Sequence, residues 1–199
     1  MSKRDIANKM IEGARANLGV MEDGPNRGKW IEVYLASVGL GAGHPWCAAW
    51  CSYRYQKASK QVNESIKGFP KSAWTPDYEK WAKANNKWLP ASKSEEQIIF
   101  RPKIGDLCCF YFENKKRIAH IGIVDKVSGR GVYVIAGNTS AADDDQYVER
   151  DGDGVFRKFY SYQSLGKFGG FVVMDDDSLP IKKAEIEKPI VDGMEVKIA

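Results

Sequence analysis

Apolar residues recur at helical spacing through the first eighty residues and at strand spacing after residue 105. Ile6, Met10, Ala14 and Leu18 fall at i, i+4 steps, which predicts an amphipathic helix over 3–18. Ser2 and Asp5 give it a capping-box-like start and Gly19 a stop. Residues 22–28 are a loop by composition. A second helix follows, with Trp30, Tyr34 and Val38 on one face, Ile31 and Leu35 beside it, and Gly39 at its end. Gly41, Gly43 and Pro45 form a turn that runs into an Ala- and aromatic-rich segment. That segment reads as a helix from Cys47 to about Ser59. Phe69-Pro70 breaks the chain. Thr75-Pro76 then supplies an N-cap followed by proline at the first helical position, opening a helix that carries Tyr78, Trp81 and Ala82 and frays at Asn85-Asn86. Leu89-Pro90 begins a long connection.

From Asp106 the period shortens. Residues 106–112 are aromatic-rich and short enough for a buried strand, and 113–116 are a polar turn. Strands over 118–127 and 132–136 flank a hairpin turn at 128–131. Residues 155–160 and 168–173 read as a fourth and a fifth strand. Helices first and antiparallel strands second is α+β order. Residues 1–174 read as one catalytic-size domain, and 175–199, opened by three aspartates, as a charged tail or linker.

Of the 199 residues, 43% are hydrophobic and 28% charged, with a net charge of +4. Basic and acidic residues are interspersed, so no nucleic-acid partner is expected. No apolar run reaches membrane-spanning length, so no membrane insertion is expected either. Residues 1–9 lack an apolar stretch of the secretory kind. The expectation is synthesis in the cytoplasm without a standard signal peptide, and action after release or delivery. The four cysteines form two close pairs, 47/51 and 108/109. Cys108 and Cys109, adjacent on a strand, point to opposite faces. Neither pair has the spacing of a disulfide framework or a zinc site, so reduced thiols, no metal and no cofactor are expected.

The candidate chemistry centres on Cys47. In the first turn of a helix, backbone N–H groups have no intrahelical acceptor and the dipole presents its positive end, which favours thiolate, the reactive form. The plainer alternative is a buried, inert cysteine. A thiolate nucleophile needs a base, and the base an orienter. His120 lies inside the apolar run 118–124, where a titratable side chain must find a partner or a cleft. Gly122, two residues on, would leave room beside it for a cleft wall. Asn138, at the end of the next strand, could orient the imidazole, or be a turn residue after Gly137. His44, in the turn before Cys47, is the alternative base. Cys51, one turn in, reads as core or cleft floor. The acidic stretches at 143–145 and 151–153 lack calcium-loop spacing and read as solvated loop.

Gly43-His44-Pro45-Trp46-Cys47-Ala48-Ala49-Trp50, Ile104-Gly105-Asp106-Leu107, Ala119-His120-Ile121-Gly122-Ile123-Val124 and Gly137-Asn138-Thr139 occur in this order. They resemble the ordered motifs of the CHAP family, the cysteine, histidine-dependent amidohydrolases/peptidases of the NlpC-type, papain-like superfamily. The resemblance covers about residues 15–173. It implies a papain-like fold, N-terminal helices packed on a C-terminal antiparallel sheet of about five strands, with Cys47 as nucleophile and His120 as base. The family often has Glu where this chain has Ala136, so Asn138 is the expected orienter and Asp106 the second choice. The calcium loop of many members is not visible here. The oxyanion hole would include the Cys47 N–H, with a second donor from the 22–28 loop, where Asn26 and Glu22 are candidates. Trp46 would pack or line the cleft mouth.

The implied activity is hydrolysis of an amide in peptidoglycan, as an N-acetylmuramoyl-L-alanine amidase or a stem-peptide or cross-bridge endopeptidase. A monomeric phage lysin, virion-associated enzyme or secreted effector fits this, with an immunity protein or a virion or secretion partner. The alternatives are a papain-like protease or amidase on another substrate, and a silent structural or binding module of the same fold.

Overall fold

The computed structural model describes residues 3–91, 102–141 and 152–175. Ser2 and the aspartates at 143–145 and 151 therefore lie outside the described residues, as does the expected tail from 176 onward. Four helices precede a sheet of six strands. Helix α1 (Lys3–Arg15) buries Ile6, Ala7, Met10, Ile11 and Ala14, one continuous stripe of the expected spacing. It ends a turn earlier than its pattern predicts, and Leu18 is exposed, because the chain turns at 16–19 and the Gly19 N–H bonds to the Val155 carbonyl. In α2 (Lys29–Ala36) the buried residues are Ile31, Tyr34 and Leu35. Trp30, expected on the apolar face, is 45% exposed.

Helix α3 (Cys47–Val62) buries nine of its residues and packs on α1 and α2 on one side and on the sheet on the other. It ends at Asn63 in the left-handed region, a usual stop for a helix. Helix α4 (Thr75–Ala84) carries Pro76 in its first turn as predicted, but Thr75 does not cap it. The Thr75 hydroxyl instead donates to the Ile118 carbonyl at 2.6 Å, fastening the helix to the sheet.

The strands are β1 (Trp88–Pro90), β2 (Leu107–Phe112), β3 (Arg117–Val127), β4 (Gly131–Thr139), β5 (Gly154–Ser161) and β6 (Gly170–Val172). Their order is β1-β6-β2-β3-β4-β5, all antiparallel. The five expected strands are present. The sixth, β1, is the short edge strand that the sequence reads only as the start of a connection. Side-chain alternation splits the core in two. Cys109, Ile121, Ile123 and Ile135 face the helices, while Cys108, Val124, Val134 and Tyr160 form a second cluster with Leu165 and Phe171. The two adjacent cysteines thus face opposite ways, as their neighbouring positions require.

Where β2 begins, Asp106 is fully buried. Its carboxylate accepts N–H groups from Lys103 and Met174 and lies 3.6 Å from Arg4. Asp175, read from sequence as the start of the tail, belongs to the same cluster: it is 4% exposed and pairs with Arg4 and Lys103. Burial pushes the Asp106 carboxyl up to about 6, against the opposing pull of the two N–H groups and Arg4. The folded protein therefore holds this proton more tightly than the unfolded chain, whose aspartates titrate near ~3.9. The Asp106 contribution to stability is full below that value and is lost as pH rises through about 6. Urea unfolding between pH 7 and pH 4 is expected to show this gain on acidification, and Asp106→Asn, which cannot titrate, to lack it.

Candidate active site

Cys47 is the first residue of α3, and the turn before it has no side-chain cap of its own. The cap comes from the sheet. The Asn138 side-chain oxygen accepts the Trp46 N–H at 2.9 Å, and its amide nitrogen donates to the Gly152 carbonyl at 2.8 Å. One side chain at the end of β4 thereby joins the start of the Cys47 helix to the strand entering β5. Asn138 sits at φ 58°, in a left-handed bulge that asparagine tolerates better than most residues.

Next to it, Gly137 lies against the Trp46 indole so closely that a Cβ there would overlap the ring. Trp46 is fully buried, lies tilted against the Tyr34 ring at 5.8 Å, and donates its indole N–H to Glu22 at 2.6 Å. It is therefore a core anchor and does not line a cleft mouth.

The 22–28 loop packs against the turn before Cys47 through Glu22 and Asn26. The Glu22 carboxylate accepts from Trp46 and from the Asn26 N–H. An ionised carboxylate has no donor, so Glu22 cannot hold an oxyanion and instead buttresses Trp46. The Asn26 carbonyl accepts the Gly43 N–H at 2.9 Å, clipping the loop to the turn. Its side-chain oxygen is buried without a hydrogen-bond partner, so its amide is the polar side chain of this loop not spent on the scaffold.

His120 is fully buried on β3, its ring 5.4 Å from that of Phe110, its partner across the ladder. A bulge beside it, where Ala119 is the extra residue between the Phe110–His120 and Tyr111–Ile118 pairs, re-aims the strand at this point. The β3–β4 ladder pairs Ile123 with Ile135. Gly122 does not open a cleft. The space its side chain would fill is taken by Val134, the Ile135 carbonyl and Ala136, at 2.5 to 2.9 Å from a Cβ.

Asp106, the alternative orienter, is committed elsewhere. Its carbonyl accepts from Val124, four residues from His120, which puts it about 13 Å along the strand at the usual rise. His44 is exposed in the turn.

The Cys47 side chain is almost wholly covered, at 2% exposure. A depression of about 450 Å³ borders the turn before it, lined by Val38, Leu40, His44, Pro45, Lys71 and Trp74, among others. Trp74 is half exposed and carries the Arg117 guanidinium over its ring at 4.1 Å. Lys71, Trp74 and Arg117 were not singled out in the sequence. The one signal for them is a large aromatic directly before the Thr75-Pro76 helix start. Cys51, Cys108 and Cys109 are buried, and burial pushes each thiol well above its ordinary value. They are inert packing residues. Among the described residues no group of three His, Cys, Asp or Glu could hold a metal ion, and no helix is long and apolar enough to cross a membrane.

A family model described as CHAP domain matches residues 39–138, from the end of α2 through the nucleophile turn and β3 to Asn138. No curated protein and no solved structure matches significantly.

Proposed function

The chain belongs to the CHAP family, whose members are typically cysteine, histidine-dependent amidohydrolases of peptidoglycan, and from that premise we propose that it hydrolyses an amide bond in peptidoglycan through Cys47 and His120. The observation that carries this reading is the Asn138–Trp46 hydrogen bond. It ties the end of β4 to the residue preceding Cys47, so that separate stretches of sequence converge on one helix start.

In this mechanism His120 takes the Cys47 proton. The thiolate attacks the amide carbonyl, and the tetrahedral oxyanion is held by the Cys47 N–H and the Asn26 side-chain amide. His120 then returns the proton to the leaving amine. Water, deprotonated by His120, attacks the thioester and releases the acid, and the thiol re-forms. Asn138 acts as a positioning residue for the nucleophile turn. The depression beside Pro45 would take the peptide. Val38, Leu40 and Pro45 suit small aliphatic side chains, and Lys71 with Arg117 suits carboxylates.

The test is digestion of purified sacculi with mass analysis of the fragments. New amine termini are expected. If they appear on muramic-acid-linked alanine the enzyme is an amidase, and if within the peptide it is an endopeptidase. Intact sacculi, alongside rapid cleavage of casein, would transfer the chemistry to a protein substrate.

A further inference from the structure

Away from Cys47, one row of side chains crosses three strands. Lys126 on β3 pairs in register with Tyr133 on β4, and Tyr133 with Phe159 on the edge strand β5. The Lys126 ammonium stands 5.5 Å from the Tyr133 ring centre, and Arg157, two residues along β5, lies over the same ring at 4.1 Å. Phe159 leans on Tyr133 at 5.2 Å and stays half-buried. The hairpin turn adds Arg130, and Lys126, Arg130, Tyr133 and Phe159 border a depression of about 660 Å³, with Arg157 beside it over the Tyr133 ring. Tyr133 is five residues from Asn138, about 17 Å along the strand, so this hollow is separate from the nucleophile turn.

The charge here is one-sided. Asp125 is the carboxylate built into the group, and it is held between Arg15 and Arg157 at 2.6 Å each. Among the described residues of this group, four cations (Arg15, Lys126, Arg130 and Arg157) accompany one anion, Asp125. Lys126, Arg130 and Arg157 are exposed and no catalytic step uses them.

We propose that this depression is a second binding site, and that its ligand is a phosphate-bearing glycan or polyol chain of the cell envelope. Arginine forks and a lysine ammonium suit phosphate oxygens. The volume suits one or two ring-sized units, which are of the size that pockets of about 300–1,000 Å³ enclose. The shape argues against two other polyanion surfaces. Nucleic-acid bases stack on open ring faces, and the Tyr133 ring is already attended by Arg157 and Lys126. A lipid surface is met by protruding apolar groups, and this face is concave. The site would hold the protein on its polymer while the Cys47 centre works nearby, and it stands whether or not that centre is active.

The experiment measures equilibrium binding, without turnover, of full-length Cys47→Ala protein to purified walls in two forms: intact, and stripped of phosphate polymers by hydrofluoric acid. Binding to intact walls is expected to exceed binding to stripped walls at least tenfold. Lys126→Glu/Arg130→Glu should erase that difference and flatten the salt dependence of binding, while leaving binding to stripped walls unchanged. Should the charge-reversed pair melt early, Lys126→Gln/Arg130→Gln is read in its place, with the same direction and a smaller effect. Equal binding of wild-type surface to both walls would overturn the proposal. So would an unaffected variant, or displacement by a single-stranded oligonucleotide as effective as displacement by the purified phosphate polymer.

Discussion

Cys47→Ala and His120→Ala are each expected to lower hydrolysis of sacculi by about 10⁴- to 10⁶-fold, and the double variant by little more than either alone. Nucleophile and base act as one unit, so removing either removes the covalent route, and their losses do not add. The residual rate would come from the oxyanion donors and the peptide groove. Folding is a separate matter. Cys47→Ala removes one small buried atom, whereas His120→Ala leaves a void against Phe110 and should cost about 1–3 kcal/mol. Comparing initial rates with thermal midpoints separates the two effects. Rates within tenfold of wild type in both variants would leave the family fold without its reaction.

Asn138→Ala is expected to be the most damaging change outside that pair. It strips the Trp46 N–H and the Gly152 carbonyl of their partner in a buried setting, at about 1–3 kcal/mol for a buried group so exposed. It also forces alanine into a left-handed backbone, about 1 kcal/mol more. A loss of about 3–5 kcal/mol should follow, with turnover down about a hundredfold, because a shift of the helix start by an ångström misdirects the attacking sulfur. Asn138→Gly relieves the backbone and leaves both hydrogen bonds broken, so it isolates the hydrogen-bond term. The pH profile of kcat/KM tells anchoring from orienting. If Asn138 chiefly positions the nucleophile turn, the basic and acidic limbs stay where they are while the plateau falls. If it chiefly orients His120, the limb that reports the imidazole moves with it.

The architecture was legible where one physical signal dominated. The buried strands announced themselves through period and β-branched or aromatic content, and the Cys47 helix through a Gly-Pro turn running into alanines. Boundaries failed where a distant partner decided them. Leu18 carries on the helical spacing, yet a bond from Gly19 to Val155 turns the chain first. Thr75 looks like a cap, yet its hydroxyl has a stronger claim on Ile118.

At the site, spacing and residue type singled out Asn138 as an orienter for His120 or a turn residue, but could not say to which atom its oxygen would turn, and its bond to the Trp46 N–H was not legible. Glu22 and Trp46 were picked out singly. Their bond to each other, which takes the first out of oxyanion binding and the second out of the cleft, exists only once the 22–28 loop is folded against the turn. Lys71, Trp74 and Arg117 carry no motif. Their convergence is a product of how α4 docks on β3.

The covering of all four sulfurs has a consequence for resistance to oxidation. Thiol–disulfide exchange and peroxide attack both require a deprotonated, reachable sulfur. Three of these are held protonated in the interior, and Cys47 is 2% exposed. A protein so arranged resists scrambling and capping of its thiols in oxidising surroundings.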